Sequence, residues 1–198
     1  MVRPLFHLKG VTMKRFVVAV ALAASAAVAE EKAGPAAAAM PQPPEQMSVE
    51  KWFVGTWNCK GQQHAGPMGP EMKTSSKLDM KLELAGFWLQ VKGTMAAGPM
   101  KGKEMFEGFA SWDGSQHIRY DFNPGGVTKL TTKGWDGDKL VFEGDGTMGD
   151  KKMAIKHTIT KRGDNEFGSV FESDGKPMVE ETCTRGAKAT AAAAPAAK

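Results

Sequence analysis

From Lys77 onward, apolar and polar residues change places at every second position. Leu78, Met80, Leu82 and Leu84 alternate with Lys77, Asp79, Lys81 and Glu83, the period of a strand with one buried face. Phe87, Leu89, Val91 and Met95 continue the pattern past a turn at Ala85-Gly86, and Phe106, Gly108, Ala110 and Trp112 resume it after the loop Gly98-Pro99-Met100-Lys101-Gly102. Further runs lie at Ile118 to Phe122, Val127 to Trp135, Leu140 to Phe142, Met153 to Ile159, Phe167 to Phe171 and Met178 to Arg185. Asp113-Gly114, Asp136-Gly137, Asp174-Gly175 and the tip Arg162-Gly163-Asp164-Asn165 separate several of them. With an opening run from Phe53 to Cys59 this makes about ten strands, joined by short turns and without intervening helices. The pattern predicts an all-β domain, an antiparallel up-and-down barrel, with a two-sheet sandwich as the alternative.

The first and last strands each hold one of the two cysteines. Opposite residues of an antiparallel pair have a constant index sum, so setting Cys59 against Cys183 also sets Trp57 against Arg185 on the same face. One register satisfies both pairs and predicts a Cys59–Cys183 disulfide beside a Trp57–Arg185 structural seam. A helical turn over Ser48 to Trp52, with Ser48 as its cap, is placed to plug one barrel end. The apolar parity of the strands assigns Leu78, Leu82, Phe87, Leu89, Ile118, Tyr120, Ile155, His157, Ile159, Phe167 and Phe171 to the lumen as ligand-binding residues.

The ends of the chain have a different composition. Met13-Lys14-Arg15, the apolar run Phe16 to Ala24 and the small residues Ala27-Val28-Ala29 read as a secretory signal over 1–29, with Met13 as an alternative start. The run is too short and Ala-rich to span a membrane. Residues 30–47 form an Ala and Pro-rich linker, 48–186 the barrel domain, and 187–198 a second Ala-rich tail, both low-complexity segments expected to be disordered. The net charge of +4 is accounted for by Arg3, Lys9, Lys14 and Arg15, because residues 1–29 hold no acid. The chain beyond residue 29 is neutral and carries no electrostatic footprint for nucleic acid. The predicted setting is periplasmic or secreted.

Three segments resemble known families. Gly55-Thr56-Trp57 in an opening strand, answered by Arg185 in the last, is similar to the signature of the calycin barrels, the lipocalins and fatty-acid-binding proteins. More closely, Phe53 to Trp57, Phe106 to Asp113 and Glu181 to Arg185 resemble a bacterial family described as domain of unknown function 1579. Ser111-Trp112-Asp113 stands where that family shows Gly-Tyr-Asp, and the two cysteines depart from its pattern. The resemblance covers about residues 48 to 185. It implies a barrel and assigns no activity.

Few residues suggest chemistry. His157 shares the inward parity of Met153, Ile155 and Ile159, the position of a core imidazole or of a haem or metal ligand, the latter as in haem-binding barrels of the wider calycin-like group. Met68, Met72, Met95, Met100 and Met105 gather around two Gly-Pro-Met loops and suit either an adaptable apolar mouth or soft-metal binding, with Met68, Met72 and Met100 the candidate ligands. Nucleophile-elbow, phosphate-loop and zinc-helix motifs are absent from the sequence, and the acids show no paired spacing. The expectation is a non-catalytic binder of a small apolar ligand, without a cofactor. A haem or metal protein and a structural envelope protein are the alternatives.

Overall fold

The computed structural model describes residues 40–186, so the expected signal peptide, the linker up to residue 39 and the tail lie outside the described residues. The strands are β1 (Gly55–Gln63), β2 (Met72–Glu83), β3 (Trp88–Met95), β4 (Glu104–Trp112), β5 (His117–Asn123), β6 (Gly126–Thr132), β7 (Trp135–Asp136), β8 (Lys139–Met148), β9 (Lys151–Lys161), β10 (Glu166–Ser173) and β11 (Lys176–Arg185). Each pairs antiparallel with its neighbour in sequence up to β6, and again from β8 to β11. Two non-sequential pairings, β1 with β11 and β6 with β8, join the halves into a closed ring of ten strands. Closure leaves the ring without an unpaired edge. The two-residue β7 is an extra strand on β8, where Gly134, at φ +108°, breaks the expected run from Val127 to Trp135.

The seam has the register read from the sequence. Cys59 faces Cys183 and Trp57 faces Arg185. The cysteines are bonded, with Cα atoms 3.9 Å apart and both side chains fully buried. Ser173 and Lys176 pair across a two-residue turn in which Asp174 and Gly175 both have positive φ, as an Asp-Gly hairpin requires. Asp113-Gly114 instead belongs to a four-residue loop, with Asp113 Oδ1 accepting from the amides of Ser115 and Gln116.

The packed domain begins before Ser48. A 3₁₀ turn over Glu45–Met47 leads directly into α1 (Ser48–Lys51), and Met47 is completely buried. Ser48 therefore lies inside the helical segment, and the cap position falls on Met47, which makes no side-chain capping bond. This segment and the following Trp52-Phe53 cover the barrel end at which β1 starts. Trp52, Phe53, Trp57, Trp135 and Phe167 form one aromatic cluster, with Trp52 to Trp57 at 5.4 Å and Trp57 to Phe167 at 4.8 Å between ring centres. Glu50 Oε1 lies 2.7 Å from His117 Nδ1, anchoring the plug to β5 between two side chains only 3% exposed.

Arg185 clamps the plug to the seam. Its Nη1 donates to the Val54 carbonyl at 2.7 Å, its Nη2 to the Trp52 carbonyl at 2.9 Å, and its guanidinium carbon lies 4.1 Å from the Trp57 ring centre. Arg185→Ala is expected to lower stability by about 2 kcal/mol, combining lost charge-assisted bonds with lost stacking. The exposed Lys139→Ala should stay within about 0.5 kcal/mol of the parent. Urea unfolding of both variants checks the ranking, and equal effects would remove the clamp.

Candidate functional site

A cavity of about 340 Å³ occupies the barrel interior, within the usual range for small-molecule sites. Its wall is mostly apolar and includes Leu78, Met80, Leu89, Val91, Phe142 and Ile159. The aromatic plug bounds one end, reaching it through Val49, Glu50, Phe53 and Phe167. At the far end of β1, Gln63, Met68, Met72, Met95 and Met105 line the cavity. Met68 and Met72 are also exposed to solvent, at 39% and 42%, which makes this the mouth. Flexible thioethers give that mouth an adaptable rim. Met100 is 54% exposed and takes no part in the lining.

Most residues assigned to the lumen by parity face inward. Leu78, Leu89, His157, Ile159, Phe167 and Phe171 line the cavity, while Leu82 and Ile155 pack in the core. Three do not. Phe87 follows a turn in which Leu84, Ala85 and Gly86 all have positive φ, and it is helical itself at φ −77° and ψ −20°, so it lies before β3 and takes no part in the cavity lining. Ile118 and Tyr120 belong to a strand whose polar face is the inner one: His117, Arg119 and Asp121 point inward. Tyr120 lies outside with Trp88, Phe109 and Phe122, giving the barrel an apolar outer patch.

The inverted strand brings a polar cluster into the lumen. Arg119 Nε donates to Asp121 Oδ1 at 2.9 Å, and Arg119 Nη1 to His157 Nδ1 at 2.9 Å. His157 Nε2 lies 2.8 Å from Ser169 Oγ. Asp121 is 5% exposed and His157 9%. Small residues on β4 make room, since Gly108 faces Asp121 and Ala110 faces Arg119. A Cβ at Gly108 would collide with Asp121 Oδ1, so a larger residue there would have to displace that carboxylate from Arg119. Arg119, Asp121 and Ser169 carry the polar part of the site, and apolar parity gave no reason to select them.

The proton positions follow from the donors. A guanidinium only donates, so His157 Nδ1 is the acceptor and Nε2 bears the hydrogen given to Ser169. Ser and His at this distance have the geometry of a nucleophile and its base, but a base must present a lone pair to the hydroxyl. Here that nitrogen carries the proton. Burial, and then the adjacent Arg119 cation, also push the His157 pKa well below its ordinary value. With one ring nitrogen bonded to a cation and the other to a hydroxyl, His157 does not fit as an axial ligand for haem or a metal without breaking this chain.

The unfolded chain consequently binds a proton at His157 that the folded chain rejects. As pH falls from the ordinary histidine value toward the depressed one, folding stability should fall, with a limiting slope of about 1.4 kcal/mol per pH unit for one proton. His157→Gln should flatten that part of the curve. Unfolding in urea from pH 7.5 to 4.5 measures it, and parallel curves for both proteins would exclude His157 as the source.

On another part of the wall, Glu181 lies near Ser76 and Thr74, and burial raises its carboxyl pKa despite the hydrogen bond that Ser76 donates to it. Glu181 and the two cysteine sulfurs lie within 4.8 Å of one another, but the sulfurs are joined and offer no thiolate. No helix among the described residues is long and apolar enough to cross a membrane.

No family model matches the sequence, and no curated protein does. The resemblance to the domain of unknown function 1579 therefore rests on its three motifs. Among solved structures, the chain is similar to Rv2717c from M. tuberculosis, with 9% identity over 74% of this chain and 100% of that one, at a TM-score of 0.53. It also matches an S-type phycobiliprotein lyase, CPES from Guillardia theta, with 13% identity over 71% of this chain and 92% of that one, at a TM-score of 0.46. At these identities, the first likeness shows a shared barrel fold and no more.

Proposed function

We propose that this protein is an exported, non-catalytic carrier that holds a small, mostly apolar molecule inside its barrel, and that it belongs with the calycin-like domain of unknown function 1579 proteins it resembles. The observation that carries this reading is the cavity itself: apolar walls, one end plugged by aromatic rings, and a methionine-lined mouth at the other. An enclosed apolar volume favours transfer of an apolar molecule out of water. The placement of the proton on His157 supports binding over catalysis, because it leaves Ser169 without a base. The disulfide and the leader-like residues 13–29 support an oxidising, extracytoplasmic setting.

Native mass spectrometry of the protein purified from its own host tests the reading. The expected result is a non-covalent adduct of low mass that solvent extraction removes. Extracted protein should then bind the neutral fluorophore N-phenyl-1-naphthylamine with a blue-shifted emission. Absence of both adduct and fluorophore binding would leave the structural-protein alternative.

A further inference from the structure

The charge balance of the lumen bears on which polar group a bound molecule can carry. The cation Arg119 is matched by Asp121, and His157 between Arg119 and Ser169 is neutral. Glu50 faces the cavity from the plug but is committed to His117, and Glu181 adds no positive charge. The cavity wall thus holds no uncompensated cation among the described residues.

Hydrogen-bonding capacity is nonetheless left over. Arg119 uses Nε and Nη1, and neither its Nη2 nor Asp121 Oδ2 has a partner among the described residues. Ser169 accepts from His157, and its own hydroxyl hydrogen is free to turn toward the cavity. Among the described residues, the sealed polar atoms that lack partners are on Glu50, His64, Thr74, Gln90 and Trp135, and none is on Arg119 or Asp121. Nη2 and Oδ2 are therefore not sealed, and because both residues line the cavity they leave it one donor and one acceptor. An ionised carboxylate at this point would meet Asp121 at low dielectric with no free cation to offset its desolvation. A hydroxyl would lose nothing comparable, since it accepts from one atom and donates to the other.

We propose that the lumen selects an apolar molecule bearing one neutral group that both donates and accepts a hydrogen bond, such as a hydroxyl, seated between Arg119 and Asp121, and discriminates against the carboxylate of the same skeleton. This rests on the carrier reading and names its class of cargo. The test is displacement of N-phenyl-1-naphthylamine from the disulfide-bonded full chain by 1-decanol, decane and decanoate at pH 8. Decanol should displace at a concentration at least tenfold below decanoate and below decane. Asp121→Asn, which leaves Arg119 unpaired, should reverse the order and bring decanoate at least tenfold ahead of its value on the parent.

Decanoate equal to or better than decanol on the parent protein overturns the inference while leaving the carrier reading intact. An unchanged ratio in Asp121→Asn, folded by circular dichroism, overturns it as well. Should that variant fail to fold, Ser169→Ala and the parent series still decide: decanol equal to decane on the parent removes any polar seat. If the fluorophore binds but none of the three compounds displaces it, the inference falls alone; if the fluorophore does not bind and no native adduct is found, the carrier reading falls and the inference with it.

Discussion

Replacing Cys59 and Cys183 together by alanine is expected to lower the unfolding free energy by about 5 kcal/mol. The bond joins residues 124 apart in sequence, so on the chain-entropy model it removes much of the freedom of the unfolded domain. Losses of this size are comparable with the whole stability of many single domains. Both sulfurs are fully buried, and the double alanine variant adds the cost of small voids at the seam. Equilibrium unfolding in urea of parent and variant, with reduced parent as a third sample, measures the difference. A loss below about 1 kcal/mol would mean that the β1–β11 ladder and Arg185 hold the seam without the cross-link.

A second large effect is expected from Arg119→Met. Removing the guanidinium leaves Asp121 buried without its partner and frees His157 Nδ1, and breaking a buried pair from one side costs about 3 to 5 kcal/mol. Adding Asp121→Leu should recover most of that loss, because two apolar side chains in an apolar lumen carry no uncompensated charge. The double variant should also lose any preference for decanol over decane. Urea midpoints of the parent, both single variants and the double variant form the cycle that checks this. Strict additivity would show that the two residues do not act as a pair.

The ring was legible because three independent signals agree: alternation with charged residues, short turns, and two cysteines whose pairing fixes a second contact at Trp57 and Arg185. The misassigned strand shows where alternation alone falls short. In His117 to Asn123 both parities are coherent, one apolar and one polar, and hydrophobicity chooses the apolar set for the core. The neighbouring strand held the missing constraint. Residues facing each other across an antiparallel hairpin share a side of the sheet, so inward Gly108 and Ala110 carry Asp121 and Arg119 inward with them. Two small residues in β4 are also the volume that an Arg and an Asp require. The Ser169–His157 contact was out of reach, because it depends on side-chain reach between strands and not on pattern. Met47 was missed for a simpler reason: a Pro-rich segment offers no period by which to recognise one buried anchor.

The disulfide also has a topological consequence. Cys59 and Cys183 lie near the two ends of the domain, so the chain between them forms a covalent ring enclosing nearly every strand. Cutting one peptide bond in an exposed tip, such as the Gly98 to Gly102 loop, opens that ring without releasing a fragment. The nicked molecule keeps both pieces tethered and every strand beside its partners. In surroundings rich in proteases, a barrel built this way survives its first cleavage as one particle, and the cavity with it.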